Sequence, residues 1–80
     1  MQSPEELQQI ISRLAGILYQ ERLNQNLSQN EVATRAGLSR TMVMRVEKLE
    51  RVPTIDTLLR ICQALGIDLW KVIRQASGEL

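Results

Sequence analysis

Residues 27–46, LSQNEVATRAGLSRTMVMRV, decide the fold of this chain of 80 amino acids. Ser28 is a good helix N-cap, and Glu31 three residues later completes a capping box. Gly37 supplies the left-handed residue that ends this helix, and Ser39 caps a second helix almost at once. The stretch therefore predicts two short helices that meet at a steep angle across a tight turn.

The second predicted helix, from 40 to about 48, carries a basic outward face. Successive side chains of a helix lie about 100° apart, which places Val43, Val46 and Glu47 together on the inward side. The opposite side is short and polar, and it comprises Thr41, Met44, Arg45 and Lys48, with Arg40 at its N-terminal edge.

The flanking sequence predicts three further helices and no strands. In the first helix, the apolar residues recur with helical spacing at Leu7, Ile10, Ile11, Leu14, Ile17 and Leu18. The predicted caps and stops of the three helices are Ser3, Asn26, Thr54, Gly66 and Asp68. Residues at about 76–80 carry no apolar pattern, so we expect a frayed tail. The sequence thus predicts one all-α domain over residues 1–80, with a helix-turn-helix at about 28–48.

Charge is distributed unevenly along the chain, although the net charge is only +1. Residues 1–34 carry two basic and four acidic side chains, whereas residues 35–51 carry five basic and two acidic ones. The positive charge therefore concentrates on the second predicted helix of the turn and on the loop after it.

The residue types exclude several classes of function. One cysteine and no histidine provide neither an internal disulfide nor the ligands of a zinc site or a Cys–His couple. Cys62 falls within the apolar stripe of the fourth helix, where we expect a small core residue. No Gly-rich phosphate loop, signal peptide or membrane-spanning run is visible in the sequence. We therefore expect a cytoplasmic protein that is not an enzyme and needs no metal or cofactor.

These motifs resemble those of the Xre/Cro family of helix-turn-helix repressors. The resemblance covers roughly residues 14–73 and rests on LSQNEVATRAGLS, on the V-x-x-V-E of Val43, Val46 and Glu47, and on RVPTIDTLLRICQALGI. It implies a five-helix, lambda-repressor-like DNA-binding domain, here with a first helix that extends upstream of the family's usual start. Leu49 stands where the family usually has Gly, so the resemblance does not fix how the chain turns after the third helix.

The resemblance also implies which side chains meet DNA. Arginine forks bond guanine O6 and N7 in the major groove, and threonine or methionine can contact a thymine methyl. The implied base-contacting residues are Arg40, Thr41, Met44 and Arg45. N–H groups and cations for phosphate contacts are supplied by Gln29, Asn30, Ser39, Lys48 and Arg51. Alternatives stay open for some: Met44 could meet a partner protein, and Lys48 and Arg51 could be solubilising charges.

Glu47 needs a cation, because the predicted helix places its carboxylate on the inward side. Arg22 stands where the family carries an arginine that pairs with this glutamate. In the family, the residue at the position of Gln29 also braces the recognition helix. The resemblance therefore implies a structural ion pair between Arg22 and Glu47, which is not itself a functional site.

The implied partner is double-stranded DNA, bound by a homodimer. One helix reads only a few base pairs, and two-fold pairing doubles the site. The candidate dimer surfaces are Leu69, Trp70 and Ile73 on the fifth helix, or Leu7, Ile10 and Ile11 on the first helix. Either group could instead pack within the chain.

The sequence thus predicts a sequence-specific transcriptional regulator of a bacterium or phage. We expect a homodimeric repressor that reads a palindromic operator through the major groove and is associated with the nucleoid. Two alternatives use the same frame: the antitoxin of a toxin–antitoxin pair, which binds a toxin protein as well as DNA, and the controller protein of a restriction–modification system.

Overall fold

The computed structural model describes residues 3–78 and places five α-helices within them. The helices are α1 (Pro4–Asn24), α2 (Gln29–Ala36), α3 (Arg40–Lys48), α4 (Ile55–Leu65) and α5 (Leu69–Ser77). No strand occurs between residues 3 and 78. The prediction of an all-α, five-helix fold is confirmed, and α1 is the long helix that the sequence indicated.

Side chains cap the helices at the residues that the sequence predicted. The hydroxyls that accept a backbone N–H bond at helix N-termini belong to Ser3, Ser28, Ser39 and Thr54. In α2 the reciprocal bond is also present, because Glu31 accepts from the Ser28 N–H at 2.9 Å. Gly37 and Gly66 end α2 and α4 in the left-handed conformation, and Asn26 adopts the same conformation after α1.

Two predictions about α5 need correction. Asp68 occupies the N-cap position, but its carboxylate makes no cap hydrogen bond and instead lies 3.6 Å from Lys71 Nζ. The expected frayed tail at about 76–80 is wrong for Ala76 and Ser77, which continue the helix. Ala76 is completely buried, and its carbonyl accepts a bond from Arg13 of α1 at 3.5 Å. Glu79 and Leu80 lie outside the described residues.

One hydrophobic cluster holds the helices together, and every helix contributes to it. Its buried members are Leu14, Leu18, Leu27, Val32, Ala33, Val43, Val46, Leu58, Ile61, Cys62, Leu65, Val72 and Ala76. The cluster is entirely aliphatic apart from Cys62. Trp70 is not part of it and lies on the surface.

The turn after α3 uses a left-handed residue although that residue is not glycine. Leu49 has φ 57° and ψ 32°, close to the values of Gly37 and Gly66. The N–H groups of Leu49 and Glu50 donate to the carbonyls of Val46 and Arg45 and so close the helix end. The chain therefore turns as it would with glycine, at the steric cost of a branched side chain in this region.

Candidate nucleic-acid interface

The buried side of α3 fixes which of its residues face outward. Val43 and Val46 are each 1% exposed and pack in the core, and Met42 packs against the same cluster from the edge. Because α3 is held on this side, its opposite side is presented as a fixed surface. The sequence-based assignment of inward and outward residues agrees with this arrangement.

The outward side of α3 carries unpaired polar and basic groups. Its exposed residues are Arg40, Thr41, Arg45 and Lys48, with Met44 half-buried beside them. Within residues 3–78, none of the ion pairs uses a cation of this surface. Three cations thus stand free on a surface one helix wide, a shape that the DNA major groove admits.

A buried network ties α3 to the two preceding helices. The Arg22 guanidinium bonds both oxygens of Glu47, at 2.7 and 3.0 Å, and donates a third bond to the Leu27 carbonyl at 2.9 Å. The side chains of Arg22 and Glu47 are only 10% and 7% exposed. The bond with Glu47 raises the pKa of Arg22, so the guanidinium stays charged. The ion pair expected from the sequence is therefore present, and it joins α1 to α3.

Gln29 completes this network from the first residue of α2. Its side-chain amide donates to Glu47 at 3.0 Å, so the bracing contact with α3 that the resemblance implied is present. A primary amide carries two N–H bonds, and the second is left for another acceptor. Tyr19 was not singled out in the sequence, yet its ring centroid lies 5.3 Å from the Arg22 guanidinium carbon. The three-residue spacing of Tyr19 and Arg22 on one helix was the available signal.

The other predicted phosphate-contacting residues lie at the borders of the α3 surface. Asn30 is exposed in the first turn of α2, and Ser39 is exposed at the N-cap of α3. Lys48 ends α3, and Arg51 follows in the exposed loop. The structure thus brings all the predicted DNA-contacting residues to α2, α3 and the loop after α3. Contact with DNA itself stays a prediction for each of them.

The two predicted dimer surfaces differ in exposure. On α5, Trp70 and Ile73 are exposed, whereas Leu69 is half-buried against the core. On α1, Leu7 is exposed but Ile10 packs against the core cluster, and Ile11 is half-buried as well. Intramolecular packing therefore accounts for part of the α1 group.

Three exposed apolar residues around the start of α4 were missed in the sequence. They are Val52, Ile55 and Leu59, in the loop before α4 and on its outer face. Ile55 and Leu59 are four residues apart and lie off the inward stripe of α4, which was the signal that could have found them.

Metal-binding groups do not gather in the described part of the chain. Between Ser3 and Gly78, no three His, Cys, Asp or Glu residues are grouped so as to hold a metal ion. Burial raises the pKa of the Cys62 thiol to about 11, so this thiol is protonated at neutral pH. Over the same residues, no helix combines the length and the apolar character needed to cross a bilayer.

Comparison with known proteins identifies the family. Residues 18–69 match the family model described as helix-turn-helix. An uncharacterized HTH-type transcriptional regulator, y4dJ, from Sinorhizobium fredii (strain NBRC 101917 / NGR234) is 39% identical over 46 residues, which are 58% of this chain. The match spans 60% of the length of that relative.

Solved structures share the fold. The wild-type restriction-modification controller protein C.Esp1396I superposes with a TM-score of 0.76 at 20% identity, over 89% of this chain and 95% of that one. A point mutant of the same controller protein gives a TM-score of 0.73 at 22% identity, over 80% and 87% of the two chains. The lambda-repressor-like architecture implied by the resemblance is therefore confirmed. The family model matches more than half of the chain, so the chain belongs to the helix-turn-helix family of DNA-binding transcriptional regulators.

Proposed function

We propose that this protein is a sequence-specific transcriptional repressor that binds a palindromic operator as a homodimer. The observation that carries the proposal is the outward side of α3. There Arg40, Arg45 and Lys48 are exposed, and none of them forms an ion pair with another residue between 3 and 78. An isolated exposed arginine is ordinary. Three free cations on one fixed helix, inside a helix-turn-helix, favour insertion into the major groove of double-stranded DNA.

Within this proposal, α3 reads base edges. Arg40 and Arg45 bond guanine O6 and N7 through their planar forks, since a guanidinium matches two acceptors at once. Thr41 bonds a base or touches a thymine methyl. Met44 supplies an apolar contact, and its partial burial limits how far it can turn away from the groove.

Phosphate contacts flank this reading surface on both sides. The start of α2 offers free backbone N–H groups at Gln29 and Asn30, at the positive end of the helix dipole. On the other side, Lys48 and Arg51 supply cations. Because Gln29 also bonds Glu47, a phosphate held by Gln29 would be fixed relative to α3. Such contacts set the register of the protein on the duplex.

A single α3 helix reads too few base pairs to select one site in a genome. Two copies related by a two-fold axis would read half-sites about 34–36 Å apart, or a multiple of that distance. This requirement supports the homodimer and the palindromic operator.

A second candidate is the controller protein of a restriction–modification system. It is favoured by two solved structures that share the fold, each of such a controller protein. The antitoxin alternative requires a toxin-binding surface in addition to the DNA-binding one.

Selection of bound duplexes from a random library, followed by sequencing, tests the proposal. We expect enrichment of a palindrome. Enrichment of a single half-site without its inverted copy would contradict the homodimer but keep the base readout. Recovery of unenriched sequence would contradict sequence-specific binding.

A further inference from the structure

The aromatic ring of Tyr19 packs on the network that joins α1 to α3. Its centroid lies 5.3 Å from the central guanidinium carbon of Arg22, within the range of a cation–π contact. A planar guanidinium donates its hydrogen bonds in its own plane, and those of Arg22 go to Glu47 and to the Leu27 carbonyl. The ring therefore contacts Arg22 over a face that the hydrogen bonds do not use.

Tyr19 covers this face on the side of the solvent. Tyr19 is 43% exposed, whereas the side chains of Arg22 and Glu47 are only 10% and 7% exposed. Water weakens an ion pair, because it screens the two charges and competes for their hydrogen bonds. Removal of the ring would thus admit water to the Arg22 guanidinium while every hydrogen-bonding group of the network stays in place.

The same network reaches the start of α2, where a phosphate contact is proposed. Glu47 Oε1 accepts one bond from Arg22 Nη2 and one from the Gln29 amide, each at 3.0 Å. Because the two donors share one oxygen, a shift of Arg22 also moves the acceptor that holds Gln29. With one N–H of the amide held by Glu47, the direction of its second N–H is set as well.

We infer that Tyr19 is a positioning residue for DNA binding, whose ring fixes the Arg22 guanidinium and, through Glu47, aims the Gln29 amide at a phosphate. The inference rests on the proposed function for the phosphate that Gln29 holds. It assigns no contact between Tyr19 and DNA. The ring acts on binding only through the three side chains that follow it in the network.

The effect of the ring on binding is separable from its effect on folding. Leucine keeps much of the apolar bulk of tyrosine but has no π face, and the three hydrogen bonds of Arg22 remain available in Tyr19→Leu. We therefore expect this variant to stay folded at the temperature of a binding assay. Circular dichroism and urea unfolding verify the fold of each variant before affinity is compared.

Three substitutions on α1 form the test. Tyr19→Leu removes the aromatic face, and Tyr19→Phe keeps the face and removes only the hydroxyl. Leu23→Ala is the matched control, because Leu23 lies one turn further along α1 and is 40% exposed but has no aromatic ring. Affinity is measured on a selected duplex and on a scrambled duplex of equal length, for the wild-type chain and for a chain that also carries Gln29→Ala. Without DNA, NMR measures how fast the Arg22 Nε–H exchanges with water.

We expect Tyr19→Leu to weaken binding to both duplexes alike, by about two- to fivefold, because a phosphate contact carries no sequence information. Tyr19→Phe and Leu23→Ala should match the wild type. In the chain with Gln29→Ala, Tyr19→Leu should cause no further loss, since the group through which the ring acts is gone. The Arg22 Nε–H should exchange several-fold faster in Tyr19→Leu than in Tyr19→Phe.

Three results would overturn the inference. An equal loss in Tyr19→Phe would assign a direct DNA contact to the hydroxyl. A loss in Tyr19→Leu that persists in full beside Gln29→Ala would mean that the ring acts on a different contact. Unchanged exchange of the Arg22 Nε–H in Tyr19→Leu would show that the ring does not fix the guanidinium. A wild type that binds neither duplex would contradict the proposed function instead, and the exchange rates would still decide whether Tyr19 fixes Arg22.

Discussion

Two cations of the α3 surface, Arg45 and Lys48, are expected to act differently although both are exposed. Arg45 lies within the reading surface and Lys48 at its end. We predict that Arg45→Ala weakens binding to the selected duplex by about 1–3 kcal/mol and relaxes base preference, because a bidentate base contact is lost. Titrations on selected and scrambled duplexes measure the difference.

Lys48→Ala is the matched control for this prediction. Because Lys48 is proposed to contact phosphate, its loss should weaken binding to all sequences alike and flatten the logarithmic salt slope by about one unit. Equal losses on both duplexes for Arg45→Ala would assign Arg45 to phosphate.

The Cys62 thiol makes the stability of the folded state depend on pH in the alkaline range. Burial raises the pKa of its thiol from 9.0 to about 11, with a smaller contribution from Asp68. The unfolded chain releases this proton above pH 9, whereas the folded chain keeps it until about pH 11. Stability from this group is therefore fully present below pH 9 and is lost as the pH rises through 11, by about 3 kcal/mol in total.

Urea unfolding at a series of pH values from about 8 to about 11 measures this loss. Cys62→Ala is the control, because it has no thiol to titrate. We expect this variant to be less stable than the wild type at every pH. Its stability should fall less steeply over that interval. Parallel curves for the two proteins would show that other groups cause the fall.

At the scale of the helix, two glycines have opposite roles. Gly16 lies inside α1, and a Cβ built there meets nothing within 4 Å. Gly37 has φ +69°, and a Cβ there would come within 3.3 Å of the Arg60 guanidinium. We predict that Gly16→Ala stabilises the protein by about 0.5–1 kcal/mol, because alanine loses less backbone entropy in a helix.

Gly37→Ala should destabilise by about 1 kcal/mol or more, because alanine disfavours the left-handed region. Thermal unfolding of the pair measures both effects under identical conditions. A loss of stability in Gly16→Ala would mean that the open side of α1 is filled in solution.

Local signals were sufficient to predict most helix ends. Ser28 and Glu31 satisfy each other within four residues, so the start of α2 depends on nothing distant. The end of α5 could not be found in this way, because Ala76 is held by the core and by Arg13, which is 63 residues away in sequence. The left-handed conformation of Leu49 could not be predicted either, since leucine has no intrinsic preference for positive φ.

Helical periodicity made it possible to predict which residues of the site face outward and which face inward, and no more. Periodicity and the resemblance placed Arg40 and Arg45 outward and Glu47 inward. The exposure of Ile55 and Leu59 was not predicted, because both read as ordinary apolar residues of a helix until the packing of α4 is known. Which exposed cation touches a base depends on a DNA geometry that neither sequence nor fold contains.

At the scale of the whole molecule, stability depends on the buried pair of Arg22 and Glu47, which links α1 to α3. We predict that Arg22→Ala costs about 3–5 kcal/mol, because it leaves a buried carboxylate without its cation. A loss of this size is a large fraction of the stability of a small domain. Urea unfolding, or loss of cooperative thermal melting, measures it.

Arg60→Ala is the comparison, because it breaks an ion pair in solvent and should cost no more than about 0.5 kcal/mol. The double replacement Arg22→Met with Glu47→Leu should recover much of the loss. Equal effects of Arg22→Ala and Arg60→Ala would show that water reaches the Arg22–Glu47 pair.

The length of α1 also determines how the protein rotates in solution. Its 21 residues extend about 31 Å at 1.5 Å per residue, close to the longest dimension of a body measuring 37 × 21 × 19 Å. Amide N–H bonds of a helix point along its axis, so those of α1 are reoriented only by slow end-over-end tumbling. Their ratio of transverse to longitudinal 15N relaxation rates should therefore exceed that of helices lying across the long axis. Side-by-side pairing of two copies would widen the particle and reduce this difference, so the spread of relaxation ratios in a 15N-labelled sample records the association state.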